Sequence, residues 1–266
     1  MHIQSLGYRT DLIFSRFSGS VTDKGDYLVI RTPSNPTYYW GNYLLFRRPP
    51  GPDDYSRWRA RFVEEIGPTP PVGHMVFGID DPSGDPGVVQ PFMDAGFEVE
   101  HTVILTAREV EKPARCNDEV VVRALRSEAE WEANLALTIA SFQDDHEPEG
   151  YRIFATRLQH DKRAMIDAGL GQRFGAFLDD TLTASLGLFV EDGVGRFQSV
   201  GTHPAYRRRG ICGRLVYEAA RHGLGEMGAD VLVMAADPDY HAAQIYESVG
   251  FTPTERQVGL QWAEMK

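Results

Sequence analysis

Cysteine is scarce in this chain. Only Cys116 and Cys212 occur in 266 residues, far apart. That excludes a disulfide framework and a cysteine-rich metal site, so no metal is expected. No apolar run approaches the ~20 residues that a membrane-spanning helix needs. The opening MHIQSLGYRTD lacks the basic start and apolar stretch of a secretory signal. These absences lead to the expectation of a soluble, cytoplasmic protein without a membrane partner. Positive charge is also in deficit: 27 Lys and Arg face 38 Asp and Glu, for a net charge of -11. Such a chain lacks the basic footprint of a nucleic-acid binder, and no nucleic-acid partner is expected. An acidic surface can attract cationic amines or simply serve solubility.

What is present is a core. Hydrophobic residues make up 42% of the chain, and its length suits two domains. The first part reads as strand-rich. Strands are expected at Asp26–Arg31 and Tyr39–Phe46, a helix at Tyr55–Ile66, and a buried strand at His74–Ile79. A helix end at Phe92–Phe97 then leads into a strand at His101–Ala107. The charged stretch Arg108–Asp118 has no apolar periodicity and reads as a linker. Beyond it, Glu119–Leu125 reads as an edge strand. Ser127 is a helix N-cap followed by Glu128 and Glu130, and the helix runs through Trp131–Ser141. A second helix is expected at Tyr151–Ala168. Three meander strands follow at Arg173–Leu178, Leu182–Val190 and Arg196–Thr202. Then come a helix (Gly213–Gly225), a strand (Asp230–Ala235), a helix (Tyr240–Val249) and a last strand (Thr254–Trp262).

Two stretches are alike. HMVFGIDDP and DVLVMAADP are apolar strands that end in Asp-Pro, at Asp81-Pro82 and Asp237-Pro238. Each is followed by a helix end, a Gly-Phe pair and a strand. A repeat of this size implies two copies of one fold.

The segment Val200–Leu215 carries the chemistry. In FQSVGTHPAYRRRGICGRL, a strand ends at Thr202, a turn holds Pro204, and Arg207, Arg208 and Arg209 precede Gly210 and Gly213. A helix that starts here offers unpartnered N–H groups and a dipole that favours an anion. On this reading the glycines let a diphosphate approach the backbone, and the arginines add charge. No Gly-Lys-Ser/Thr follows, so a Walker-type nucleotide loop is excluded.

This segment resembles the acetyl-CoA motif of the GNAT acetyltransferase superfamily, Gln/Arg-x-x-Gly-x-Gly/Ala. Arg207, Gly210 and Cys212 fall on its three fixed positions, with Cys212 in place of Gly/Ala. Downstream, DYHAAQIYESVGF is similar to the family's Asn-x-x-Ala-x-x-x-Tyr-x-x-x-Gly-Phe segment. Ala242, Tyr246, Gly250 and Phe251 match, and Asp239 replaces Asn. The resemblance covers Glu119–Lys266. The first half matches only the family's closing strand, helix and strand, and has no arginine-glycine cradle.

The resemblance implies an α/β (α+β) fold. Its mixed, mostly antiparallel sheet is flanked by helices, in two tandem copies of which the first is incomplete. The expected domains are residues 1–110, degenerate and without a cofactor motif, and 119–266, which binds acyl-CoA. It also implies an N-acetyltransferase that moves an acetyl group from acetyl-CoA to a small-molecule amine by direct attack in a ternary complex. Val200, Gly201 and Thr202 would line the pantetheine arm. Arg207, Arg208, Arg209, Gly210, Ile211, Cys212 and Gly213 would hold the pyrophosphate. Tyr246 would be the general acid for the departing thiolate. Cys212 itself reads as a space-filler at a crowded helix start.

Acceptor contacts are expected from Asp145, His146, Glu147 and Glu149 in the loop between the first two helices of the second unit, and from Glu191. Two other functions remain open: a CoA-binding sensor or assembly module without turnover, and a protein-lysine acetyltransferase. The two halves can pair with each other, so a monomer would suffice.

Overall fold

Helix α1 (Leu6–Ser18) opens the computed structural model, which describes residues 1–68, 72–141, 148–239 and 242–264. The sequence expectation has no element here, and the capping explains why. The Ser5 hydroxyl accepts from the Tyr8 N–H at 3.4 Å. The remaining partners are remote in the chain. The Asp80 carboxylate accepts from the Ser5 N–H at 2.8 Å, and Glu255 accepts from the Leu6 N–H at 2.7 Å. Carboxylates suit a helix N-terminus, but none of these is readable near the helix itself.

The chain then runs through β1 (Ser20–Asp23), β2 (Tyr27–Arg31), β3 (Tyr43–Phe46), α2 (Asp54–Glu65), β4 (His74–Ile79), a short α3 (Gln90–Met93) and β5 (Glu98–Ala107). Next come β6 (Val121–Ala124), α4 (Glu128–Ser141), α5 (Pro148–Asp167), β7 (Gly171–Leu178), β8 (Thr181–Glu191) and β9 (Val194–Thr202). The last elements are α6 (Ile211–Gly225), β10 (Val231–Ala236), α7 (Ala242–Glu247) and β11 (Thr252–Ala263). Two units form. One comprises residues 1–104 and 254–266, the other residues 105–253.

The sheet of the first unit has the order β1-β2-β3-β4-β11. Its pairs are antiparallel except β3 with β4, which is parallel. Strand alternation sorts its side chains into two cores. Tyr27, Val29, Leu44, Phe46 and Phe77 pack with Trp58 and Phe62 of α2 and with Phe92. Leu28, Ile30, Leu45 and Val76 pack with Tyr8 and Leu12 of α1. Both faces are therefore covered, and these strands read as nearly continuous apolar runs.

One expectation is corrected here. The last strand was expected to close the second domain, 119–266. Instead β11 pairs antiparallel with β4, from Val258 opposite Ile79 to Ala263 opposite His74. The Tyr8 hydroxyl also donates to the Val258 carbonyl at 2.6 Å. Chain order does not say which sheet edge a strand joins. The expected linker, in turn, lies within the second unit.

The second unit has the order β10-β9-β8-β7-β6. Strands β6 to β9 form the expected antiparallel meander, and β10 joins β9 in parallel. Helices α4 and α6 both pack on β8 and β9. The two units share a stretch of topology. In each unit a strand (β3 or β9), a helix (α2 or α6) and a parallel strand (β4 or β10) follow one another. Helix α4 starts in a reciprocal cap. The Ser127 hydroxyl accepts from the Glu130 N–H, and the Glu130 carboxylate accepts from the Ser127 N–H, both at 3.3 Å.

The Arg123 guanidinium and the Arg126 N–H hold the Glu130 carboxyl at a pKa of about 2. The folded value lies below the unfolded one, so this stability is present above pH ~4.5 and is lost as pH falls toward ~2. Replacing Glu130 by Gln should therefore lower stability at pH 7 and flatten the acid limb of a Tm-versus-pH profile between those values. An unchanged acid limb would remove Glu130 from the account.

Candidate functional site

Strand β9 carries the main irregularity of the second unit. Gln198 lies opposite Gly187 on β8, and Gly201 lies opposite Ser185. Leu186 thus faces both Ser199 and Val200, which is a β-bulge. Ser199 has a φ of 50°, a left-handed conformation that few non-glycine residues adopt. On its other side β9 pairs with β10 only from Val194–Val231 to Arg196–Val233. From Phe197 to Thr202 the two parallel strands no longer form a ladder. Phe197, Phe251 and Tyr246 pack behind this divergence, with ring centroids 5.8 Å and 6.5 Å apart.

A turn follows. His203 Nδ1 accepts from the Ala205 N–H at 3.3 Å and caps a short 3-10 helix, Pro204–Tyr206. The Arg207 guanidinium folds back, its Nε donating to the Thr202 carbonyl at 3.2 Å. Arg208 and Gly210 are both left-handed, with φ of 62° and 73°. The former linker then ties down the carbonyl side of this loop. Arg115 donates to the Arg208 carbonyl. The Asn117 side chain donates to the Arg209 carbonyl at 3.2 Å, and its N–H donates to the Gly210 carbonyl at 3.3 Å.

The consequence is on the amide side. Among the described residues, the main-chain N–H groups of Arg208 through Gly213 donate to nothing in the chain. The first intrahelical bond of α6 runs from Arg214 to the Gly210 carbonyl at 3.2 Å. This run of amides stands at the start of a 15-residue helix, an arrangement that suits an anion. Arg209 lies over the Tyr206 ring at 5.3 Å. Arg214 is paired with Asp118 and Glu218.

The glycines also make room for the linker. A Cβ on Gly210 would stand 3.0 Å from the Arg115 carbonyl oxygen, and one on Gly213 would stand 3.2 Å from Pro113. The space they leave is used by the linker, and Gly210 is also needed for its positive φ. Arg115 and Asn117 were not expected at the site. Their stretch is charged and aperiodic, and their role lies in long-range bonds.

The other expected residues are distributed unevenly. Tyr246 is 5% exposed and packs against Phe251. Cys212 lies at the helix start, where burial pushes its thiol up to about 11. That fits a space-filler and not a nucleophile. Glu149 sits exposed in the first turn of α5. Asp145, His146 and Glu147 lie outside the described residues. Glu191 is corrected. It pairs with Val194 at the far end of β9, and at about 3.3 Å per strand residue it stands roughly 25 Å from Thr202. A hairpin puts its turn and its open ends at opposite ends of the strands, so Glu191 also stands roughly 17–20 Å from the bulge.

The first unit holds a contrasting counterpart. Its loop between β3 and α2 also contains an arginine and a glycine, Arg48 and Gly51, in Arg-Pro-Pro-Gly order. These two residues do not make the open cradle of the second unit. Here the Asp54 carboxylate fills the helix start. It accepts from the Gly51 N–H at 2.7 Å and from Arg48 at 3.0 Å, and it pairs with Arg57. Burial alone would raise its pKa, but the Gly51 amide and both guanidiniums outweigh that and hold it below the usual range. The parallel pair also stays closed to its end, with Phe46 opposite Ile79 and the Asp80 N–H donating to the Phe46 carbonyl at 2.8 Å.

Residues 131–251 match the acetyltransferase (GNAT) family. The fold of the chain is that of GNAT structures. A GCN5-related N-acetyltransferase from Kribbella flavida superposes with a TM-score of 0.66 at 15% identity, covering 97% of this chain and 96% of that one. A functionally unknown conserved protein from Staphylococcus epidermidis gives 0.70 at 12% identity, over 94% and 96%. A GCN5-related N-acetyltransferase from Sphaerobacter thermophilus gives 0.54 at 13%, over 92% and 83%. No curated protein matches the sequence.

Alkylation tests the cysteine assignment. At pH 8 iodoacetamide should modify Cys116 and spare Cys212 in the native protein. Peptide mapping that finds Cys212 labelled first would contradict a thiol held protonated there.

Proposed function

We propose that this protein is an acetyl-CoA-dependent N-acetyltransferase acting on a small-molecule amine. The observation that carries the reading is the run of unpartnered amides from Arg208 to Gly213, set at the mouth of two diverging parallel strands. These amides, with Arg207 to Arg209, suit a diphosphate. The unladdered stretch of β9, including Val200, Gly201 and Thr202, suits a pantetheine arm that bonds to it like an added strand. The first unit has neither feature, because its nest is filled by Asp54 and its strands stay paired. One donor is therefore expected per chain.

In this reading the Val200 N–H polarises the thioester carbonyl and stabilises the oxyanion that forms when a neutral amine nitrogen attacks. The carbon–sulfur bond breaks, and Tyr246 supplies a proton to the departing sulfur. The nitrogen loses its extra proton to water or to a base on the acceptor side. Holding both reactants in one site supplies much of the rate. The acidic surface favours cationic acceptors.

Calorimetry with acetyl-CoA should give one site per chain, and no binding at millimolar ligand would end this reading. Thiol release against a panel of amines then separates turnover from sensing. Binding without release to any amine would make the protein a CoA-binding sensor. Replacing Tyr246 by Phe should lower kcat about a hundredfold or more, the scale of a lost general acid, with CoA affinity nearly intact. Loss of affinity instead would make Tyr246 a packing residue.

A further inference from the structure

Arg173 is a buried cation with an unusual set of partners. It lies on β7 and is 8% exposed. Its Nε donates to Asn134 Oδ1 at 2.9 Å, and one terminal nitrogen donates to the Ser185 hydroxyl at 2.8 Å. That same nitrogen donates to the Ser199 carbonyl at 3.2 Å. Among the described residues no carboxylate pairs with it. Burial without such a partner pulls its pKa down to about 10, so it stays charged at neutral pH. Asn134 is itself held, its amide donating to Gln159 of α5 at 2.6 Å.

The position of the third bond is informative. Ser199 is the left-handed residue of the β9 bulge. Its carbonyl and the N–H of Val200 belong to one peptide group, which is planar and trans. The two therefore point in opposite directions. Fixing the Ser199 carbonyl toward Arg173 fixes the Val200 N–H away from it. A full positive charge on that carbonyl also polarises the amide and strengthens its N–H as a donor.

We infer that Arg173 is a positioning residue that clamps the Ser199–Val200 peptide and thereby aims the Val200 N–H at the acyl carbonyl. This rests on the reading above that acetyl-CoA is the donor. The three tethers hold the guanidinium in one place: Asn134 from α4, Ser185 from β8 and Ser199 from β9. A lysine cannot reproduce them, because it offers no planar fork. The bulge needs such a clamp because a serine at positive φ is strained and persists only where its surroundings enforce it.

The test reads the acyl carbonyl directly and needs no acceptor. Infrared difference spectra are taken with carbonyl-13C acetyl-CoA bound to the wild type, to Arg173→Met and to Arg173→Lys. The wild type should shift the thioester carbonyl stretch to lower frequency. Both variants should lose that shift while their Kd for CoA changes less than threefold. With an amine that the thiol-release panel identifies, acetyl transfer should in addition fall about a hundredfold at unchanged KM for acetyl-CoA, the scale of losing one oxyanion donor. A melting curve checks folding, and Arg173→Lys decides if Arg173→Met does not fold. A folded variant that keeps the shift overturns the inference, since a merely structural arginine would change Tm and leave the carbonyl alone. Wild-type binding without any shift also overturns it and leaves the donor reading standing. Failure of the wild type to bind acetyl-CoA sinks the donor reading, and the inference with it.

Discussion

Everything proposed for the second unit depends on where one parallel pair stops pairing. Strands β9 and β10 share a ladder only up to Arg196 and Val233. Beyond that point the main-chain groups of β9 on this side are free of a neighbouring strand. Backbone polar groups demand partners, so such a stretch is structurally expensive unless something else bonds to it. The bulge at Ser199–Val200, the turn at His203 and the nest at Arg208–Gly213 all follow this parting in chain order.

The first unit is a built-in comparison. It has the same strand, helix and parallel strand, yet its pair runs closed to Phe46 and Ile79. Trp58 stacks on Phe46 with ring centroids 3.8 Å apart, and Phe77 and Phe92 pack edge-on to that Trp58 ring. Where the second unit leaves amides unpartnered, the first brings its own anion, Asp54. A carboxylate with two guanidiniums and a backbone N–H satisfies the helix start locally. The same supersecondary frame thus becomes a packed core in one unit and a candidate donor site in the other. The difference comes from one acidic residue and from the aromatic filling of one pair.

Loop organisation in the second unit has a similar logic. The nest is not held open by glycine alone. Arg115 and Asn117 take up the carbonyls of Arg208, Arg209 and Gly210. Binding the carbonyl side leaves the N–H side of the same peptides directed elsewhere. The Arg173 clamp on Ser199 applies that rule a second time. In both places a side chain orients a peptide group by holding its oxygen.

The sequence by itself was enough for local matters. Alternation and turn residues located the meander of β7, β8 and β9, and the Ser127–Glu130 pattern marked the start of α4. The Arg207–Gly210–Gly250–Phe251 spacing pointed to the family. These features are legible because they depend on residues a few positions apart, where backbone conformation and capping are decided. Tertiary structure decided the rest. Helix α1 is capped by Asp80 and Glu255, and β11 joins β4 in the first unit. Glu191 lies a strand's length from the nest, and Arg115, Asn117 and Arg173 work through bonds to distant segments. None of these has a short-range signature, because each is a contact between residues that only folding brings together.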